Sequence, residues 1–130
     1  RTLRIVRNMS ATAVVASQVV IPSEVDTFTL KRTIGPQTTA ATVSYVSDPG
    51  IPGTGAPQYA LYYIVVEGPT TVLNAAGAAN EGDIVVSTTT SGEAATIADG
   101  SVTAVQAANA IGRCTGAISS GKMPIFVNRV

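Results

Sequence analysis

Residues 81–87 read EGDIVVS and residues 110–116 read AIGRCTG, and these two stretches decide the fold class. Each joins a glycine to a short run of apolar residues, a pattern typical of a turn that leads into or out of a β-strand. The glycine-rich segment GAISSGK (residues 116–122) and the apolar segment MPIFVNRV (residues 123–130) follow directly. The last third of the chain therefore indicates short strands joined by tight turns, as in a small β-barrel or sandwich.

The GAISSGK segment also fits the phosphate-loop pattern G-x-x-x-x-G-K, which would make the protein a nucleotide-binding enzyme. Such a loop needs Ser or Thr after the lysine to ligate Mg²⁺, and a helix that begins at the lysine. Met123 occupies the ligand position, and Pro124 followed by Ile-Phe-Val favours a strand. We therefore interpret Gly121-Lys122 as a hairpin turn.

The composition favours one thin, strand-rich domain. Hydrophobic residues make up 45% of the 130 residues, yet there are two Phe and no Trp, so the core must be built from small branched side chains. A chain of this length forms one core, and turn signals at roughly ten- to fifteen-residue spacing indicate about eight or nine strands. We predict a single all-β domain over residues 1–130, a small antiparallel β-sandwich or barrel of jelly-roll-like or β-tulip-like form. At most one short helix is expected, near residues 101–110.

The first half of the chain shows further strand patterns. Residues 2–7 alternate loosely, and residues 14–21 form an apolar run of strand length that Pro22 ends. Residues 26–34 alternate well, which would bury Phe28 and Leu30, and residues 40–46 are another short strand candidate.

A loop separates that candidate from the next strand. Residues 48–57, DPGIPGTGAP, contain three prolines and three glycines, which preclude regular structure. A loop of this length in a compact domain is either a functional segment or a long surface connection.

Residues 58–67, QYALYYIVVE, are apolar on both faces of the predicted strand. This pattern predicts a central strand that is covered on both sides, or covered on one side and used as an interface on the other. Tyr59, Tyr62 and Tyr63 are candidates for self-association, because tyrosine is enriched at protein interfaces. Gly68-Pro69 is predicted to turn the chain into a separate short strand at residues 70–74.

Charges are segregated along a chain whose net charge is zero. Residues 1–32 carry +3, residues 33–112 carry −6 and residues 113–130 carry +3. The basic termini either pair with the acidic middle of the same molecule, or present one sign of charge to a partner surface.

The sequence gives no basis for catalysis, and we predict that the protein is not an enzyme. There is no His to act near neutral pH, and the acids lie singly beside glycine or proline. Cys114 stands alone, which excludes an internal disulfide and a cysteine-based zinc site. No catalytic residue, metal ligand or cofactor is predicted. Neither a basic patch interleaved with aromatics nor a membrane span of about 20 apolar residues is found, so no nucleic acid or membrane partner is expected.

Four sequence features resemble one known family. They are VRNMSA at residues 6–11 with the apolar run at residues 14–20, GDIV at residues 82–85, AIGRCTG at residues 110–116, and Gly121-Lys122 before the apolar end. Together they resemble the capsid decoration, or cement, proteins of tailed bacteriophages. The resemblance covers about half of the chain and does not extend to residues 22–69.

The resemblance implies a structural virion protein that is made in the bacterial host cytoplasm and binds the outer surface of an assembled capsid. It would stabilise the shell by clamping neighbouring subunits of the major capsid protein, as a homo-oligomer such as a dimer or trimer. The candidate capsid contacts are an N-terminal contact arm at residues 1–12 and the loop at residues 48–57. The residues proposed within them are Arg1, Arg4, Arg7, Asp48, Ile51 and Pro52.

Two other classes of protein stay open. One is a tail-fibre, adhesin or carbohydrate-binding β-sandwich, which the absence of Trp disfavours because sugar sites commonly stack rings on exposed aromatics. The other is a structural shell subunit in its own right.

Overall fold

The computed structural model describes residues 1–22, 31–34, 44–74, 79–88, 92–108 and 110–128. In these ranges nine strands form one sheet, which confirms the all-β prediction. The strands are β1 (Thr2–Asn8), β2 (Val19–Pro22), β3 (Lys31–Ile34), β4 (Tyr45–Ser47), β5 (Leu61–Leu73), β6 (Ile84–Ser87), β7 (Ala94–Ile97), β8 (Gly112–Cys114) and β9 (Lys122–Asn128). A 3₁₀ turn at Asp99–Ser101 and a five-residue helix, α1 (Ala104–Ala108), lie where a short helix was predicted.

Some predicted features lie outside the described residues. The strand predicted at residues 26–34 is described only from Lys31, so the expected burial of Phe28 and Leu30 lies outside the described part. Residues 40–43 of the strand predicted before the loop also lie outside it.

The strands close into two barrel-like rings that share β5. In the first ring the neighbours run β1–β3–β2–β4–β5 and back to β1; β1 and β3 are parallel and the other pairs antiparallel. In the second ring β5 pairs with β9, followed by β8, β6 and β7. A parallel bridge between Asn74 and Ala94 brings the end of β5 beside the start of β7. The sheet therefore has a barrel-like, nearly closed form.

The predicted turn at Gly68-Pro69 is wrong, because β5 runs through both residues as one strand of 13 residues. Gly68 has a φ of +111°, and a Cβ there would lie 2.9 Å from the Arg1 Cα, so glycine is required. Pro69 fits because its nitrogen points away from β9. Leu73, four residues further along the same strand, donates its N–H away from β9 to the Ser17 carbonyl. Proline at this position therefore removes no hydrogen bond from the β5–β9 ladder.

Two hydrophobic clusters lie on opposite sides of the wall formed by β2, β4 and β5. Val19, Val46 and Val65 pack in the larger cluster with residues from β6 to β9. Val20, which follows Val19, and Ile64, which precedes Val65, point the other way and pack in the smaller cluster inside the first ring. Where β2 and the middle of β5 pass between the two clusters, both faces are buried, which explains the consecutive apolar residues Val19-Val20 and Ile64-Val65.

Strand β2 is shorter than the predicted strand at residues 14–21. Val14 forms only an isolated bridge with Ala56, and Ser17 adopts a left-handed φ of 60°. The Gln18 side-chain oxygen accepts a hydrogen bond from the Val15 N–H at 2.9 Å, and Ser47 Oγ donates to the Val15 carbonyl at 2.7 Å. These side-chain hydrogen bonds replace the sheet ladder before Val19.

The GAISSGK segment ends in a tight turn into β9, centred on Ser120-Gly121, one residue before the predicted Gly121-Lys122. Ser119 and Lys122 exchange two backbone hydrogen bonds, of 2.9 and 3.0 Å. The two residues between them, Ser120 and Gly121, have φ angles of 54° and 73°. Two consecutive left-handed residues match the type I′ turn, whose twist suits antiparallel strands.

Candidate interaction surface

The pairing of β1 with β5 leaves a row of apolar side chains on the outside of the first ring. Opposite one another in the antiparallel register stand Leu3 and Val65, Ile5 and Tyr63, and Arg7 and Leu61. The alternate residues Val6, Tyr62 and Ile64 are buried inside the ring. We use the name outer β1–β5 face for the exposed side chains, which are Leu3, Ile5, Leu61 and Tyr63.

Exposure on this face is substantial. Ile5 is 51% exposed, Leu61 59% and Tyr63 47%. Six large apolar side chains are exposed in the described part of the chain, and four of them make up this face. The other two are Tyr59, shortly before β5, and Phe126 on β9. Because exposed apolar groups are concentrated here rather than scattered, this face is the candidate site for contact with a partner.

The three tyrosines proposed for self-association do not share one environment. Tyr63 lies on the outer β1–β5 face, and Tyr59 is exposed with a left-handed φ of 70°. The Tyr59 N–H donates to the Asn8 carbonyl at 2.6 Å, which holds this uncommon backbone conformation next to the end of β1. Tyr62 is 5% exposed and packs in the smaller cluster. Its assignment as a contact residue is corrected to a core residue, since a buried ring offers no area to a partner.

Residues 48–57 contain no helix and no strand of the sheet, and they border a groove. The groove has a volume of about 330 Å³, and Ile51, Pro52 and Pro57 line its loop side. Leu61 and Tyr63 line its other side, so the groove opens beside the outer β1–β5 face.

Backbone hydrogen bonds hold this loop against the sheet. The Asp48 N–H donates to the Tyr63 carbonyl at 2.9 Å, and the Gly55 N–H to the Pro52 carbonyl at 2.8 Å. Ala56 and Val14 exchange two bonds, of 2.7 and 3.0 Å. The groove therefore has a defined wall in spite of its glycines and prolines.

The three arginines proposed as contacts lie on or beside β1. The Arg1 guanidinium is 3.7 Å from Oδ1 of Asp48, which ties the start of the chain to the loop. Arg4 is exposed and alternates with Leu3 and Ile5 along β1. Arg7 is half-buried and stands opposite Leu61.

The fold thus brings most of the predicted contact residues to one region. The groove is lined in part by Asp48, Ile51 and Pro52, and Arg1 forms an ion pair with Asp48. Arg4 and Arg7 lie on β1. The contact role itself stays a prediction. Sequence reasoning missed Leu3, Ile5 and Leu61, since a large apolar residue in a strand is normally expected in the core. The signal that could have found them is the apolar character of both faces of residues 58–67.

Among the described residues, no group of three or more His, Cys, Asp or Glu is placed to hold a metal ion. No helix in the described ranges is long and apolar enough to cross a membrane. What the region offers is apolar area on rigid strands, a groove, and arginines that can pair with carboxylates.

No protein-family model matches the chain, and no curated protein matches it in sequence. Among solved structures, the chain is similar to the N base of the head fiber gp8.5 of bacteriophage phi29. The TM-score is 0.60 at 15% sequence identity, and the match covers 98% of this chain and 94% of that chain. At this identity the likeness shows a shared fold, which extends over almost the whole of both chains.

Proposed function

We propose that this chain is a structural protein of a bacteriophage virion and lies on the outer surface of the capsid. The observation that supports it most is the fold shared with the phi29 head fiber base along 98% of the chain. The sequence resemblance of residues 6–11, 82–85 and 110–116 to phage decoration proteins points to the same location. That resemblance rests on short motifs and not on the fold comparison, so the two supports are separate.

The finer proposal is that the protein stabilises the shell by clamping neighbouring subunits of the major capsid protein. A rigid barrel offers two kinds of contact, the apolar outer β1–β5 face and the groove beside the loop at residues 48–57. When one contact forms, the effective concentration of the second rises, so weak individual contacts give firm attachment. Repetition of the chain around capsid symmetry axes, as a homo-oligomer, multiplies this effect.

Co-sedimentation tests the location. Capsids are assembled from the major capsid protein of the same virus without this chain, and the purified chain is added in increasing amounts. Saturable co-sedimentation at a fixed ratio to the capsid subunit is the expected result, with a rise in the melting temperature of the capsid if the chain clamps subunits. Absence of co-sedimentation would overturn the capsid location, and binding without a thermal shift would overturn clamping alone.

The same structural neighbour supports a second role, the base of a head fibre. In that role the barrel attaches a longer fibre to the capsid and adds no stability to the shell. The thermal stability of the decorated capsid separates the two roles, because a fibre base would bind without raising the melting temperature of the capsid. A decoration protein that clamps subunits would raise it.

A further inference from the structure

We draw no further inference here: the strongest candidate, the outer β1–β5 face together with the groove beside it, carries nothing further, because nothing in the structure shows what covers this apolar surface.

Discussion

The side-chain amide of Asn8 donates a 2.8 Å hydrogen bond to the backbone carbonyl of Ala56, a residue 48 positions further along the chain. The same amide nitrogen donates to the Thr12 carbonyl at 2.9 Å, and the amide oxygen accepts from the Ser10 N–H. Asn8 is fully buried. One side chain thus fixes the end of β1, the turn that follows it and the far end of the loop that borders the groove.

Asn8→Ala should destabilise the protein strongly. Three hydrogen bonds of this buried side chain are lost, while the Ala56 carbonyl keeps the Val14 N–H and the Thr12 carbonyl keeps the Ser10 hydroxyl, so the cost is on the order of 2 kcal/mol. Asn8→Asp should be at least as damaging, because a carboxylate has no N–H to donate to the two carbonyls. The free energy of unfolding, from urea titration followed by circular dichroism, measures the effect.

Asn128→Ala is the matched control for that experiment. Asn128 is exposed at the end of β9, so its removal should change the free energy of unfolding by less than about 0.5 kcal/mol. Similar midpoints for Asn8→Ala and Asn128→Ala would contradict the role given to the Asn8 hydrogen bonds.

Gly112 illustrates a second structural requirement, close approach of two strands. A Cβ at this position would overlap the carbonyl oxygen of Phe126 and lie 3.1 Å from the Val127 Cα. Gly112→Ala should therefore separate β8 from β9 and cost on the order of 3 kcal/mol or more. Gly53→Ala is the control, since nothing lies within 4 Å of a Cβ there. Thermal melts of both variants decide the matter, and an unchanged melting temperature for Gly112→Ala would refute the close-packing argument.

Much of the fold could be predicted because short-range residue patterns determine many of its turns and strands. The turn before β9 follows from Gly121 and from the strand-favouring residues after it, and the two segments quoted at the outset do lead into β6 and β8. Gly112, however, is not a turn residue. It lies in β8, and the need for glycine there comes from the neighbouring strand β9, which no local pattern records.

That β5 continues through Gly68-Pro69 as one strand could not be predicted, for a related reason. Gly-Pro ends most strands, and it is tolerated here because Arg1 packs against Gly68 and because the Pro69 nitrogen faces away from β9. Both causes are tertiary. The candidate surface could be predicted only in part. The sequence shows that Tyr62 and Tyr63 lie on opposite faces of β5, but pairing with β1 and β4 decides which face packs inside the ring.

The turn at Ser120-Gly121 gives a prediction in the stabilising direction. Ser120 holds a left-handed φ of 54°, which serine adopts at some cost and asparagine adopts more readily. Asn-Gly is the preferred pair for a type I′ turn, so Ser120→Asn should stabilise the protein by about 0.5–1 kcal/mol. Gly121→Ala should destabilise it by about 1 kcal/mol, because its φ of 73° suits glycine. In urea unfolding, the free energy of unfolding should rise for Ser120→Asn and fall for Gly121→Ala. A loss of stability with Ser120→Asn would argue against the I′ geometry.

Removal of residues 1–7 separates two views of the start of the chain. If this segment were only a contact arm, the truncated protein would fold normally. In the structure, residues 2–7 pair with β5, and Val6 is 1% exposed in the smaller cluster. Truncation therefore opens the first ring and exposes the edge of β5, at a cost of about 5 kcal/mol or more, comparable to the whole stability of a small domain.

The expected result of that truncation is loss of the cooperative melt in circular dichroism, with aggregation through the open edge. The double substitution Arg1→Ser and Arg4→Ser is the matched control. It removes both exposed guanidinium groups but keeps the strand, and it loses only an ion pair of 3.7 Å worth about 0–1 kcal/mol. This variant should fold like the wild type and bind capsids more weakly, which makes it the proper test of the basic contacts. A truncated chain that melts cooperatively near the wild-type temperature would show instead that β1 is dispensable to the barrel.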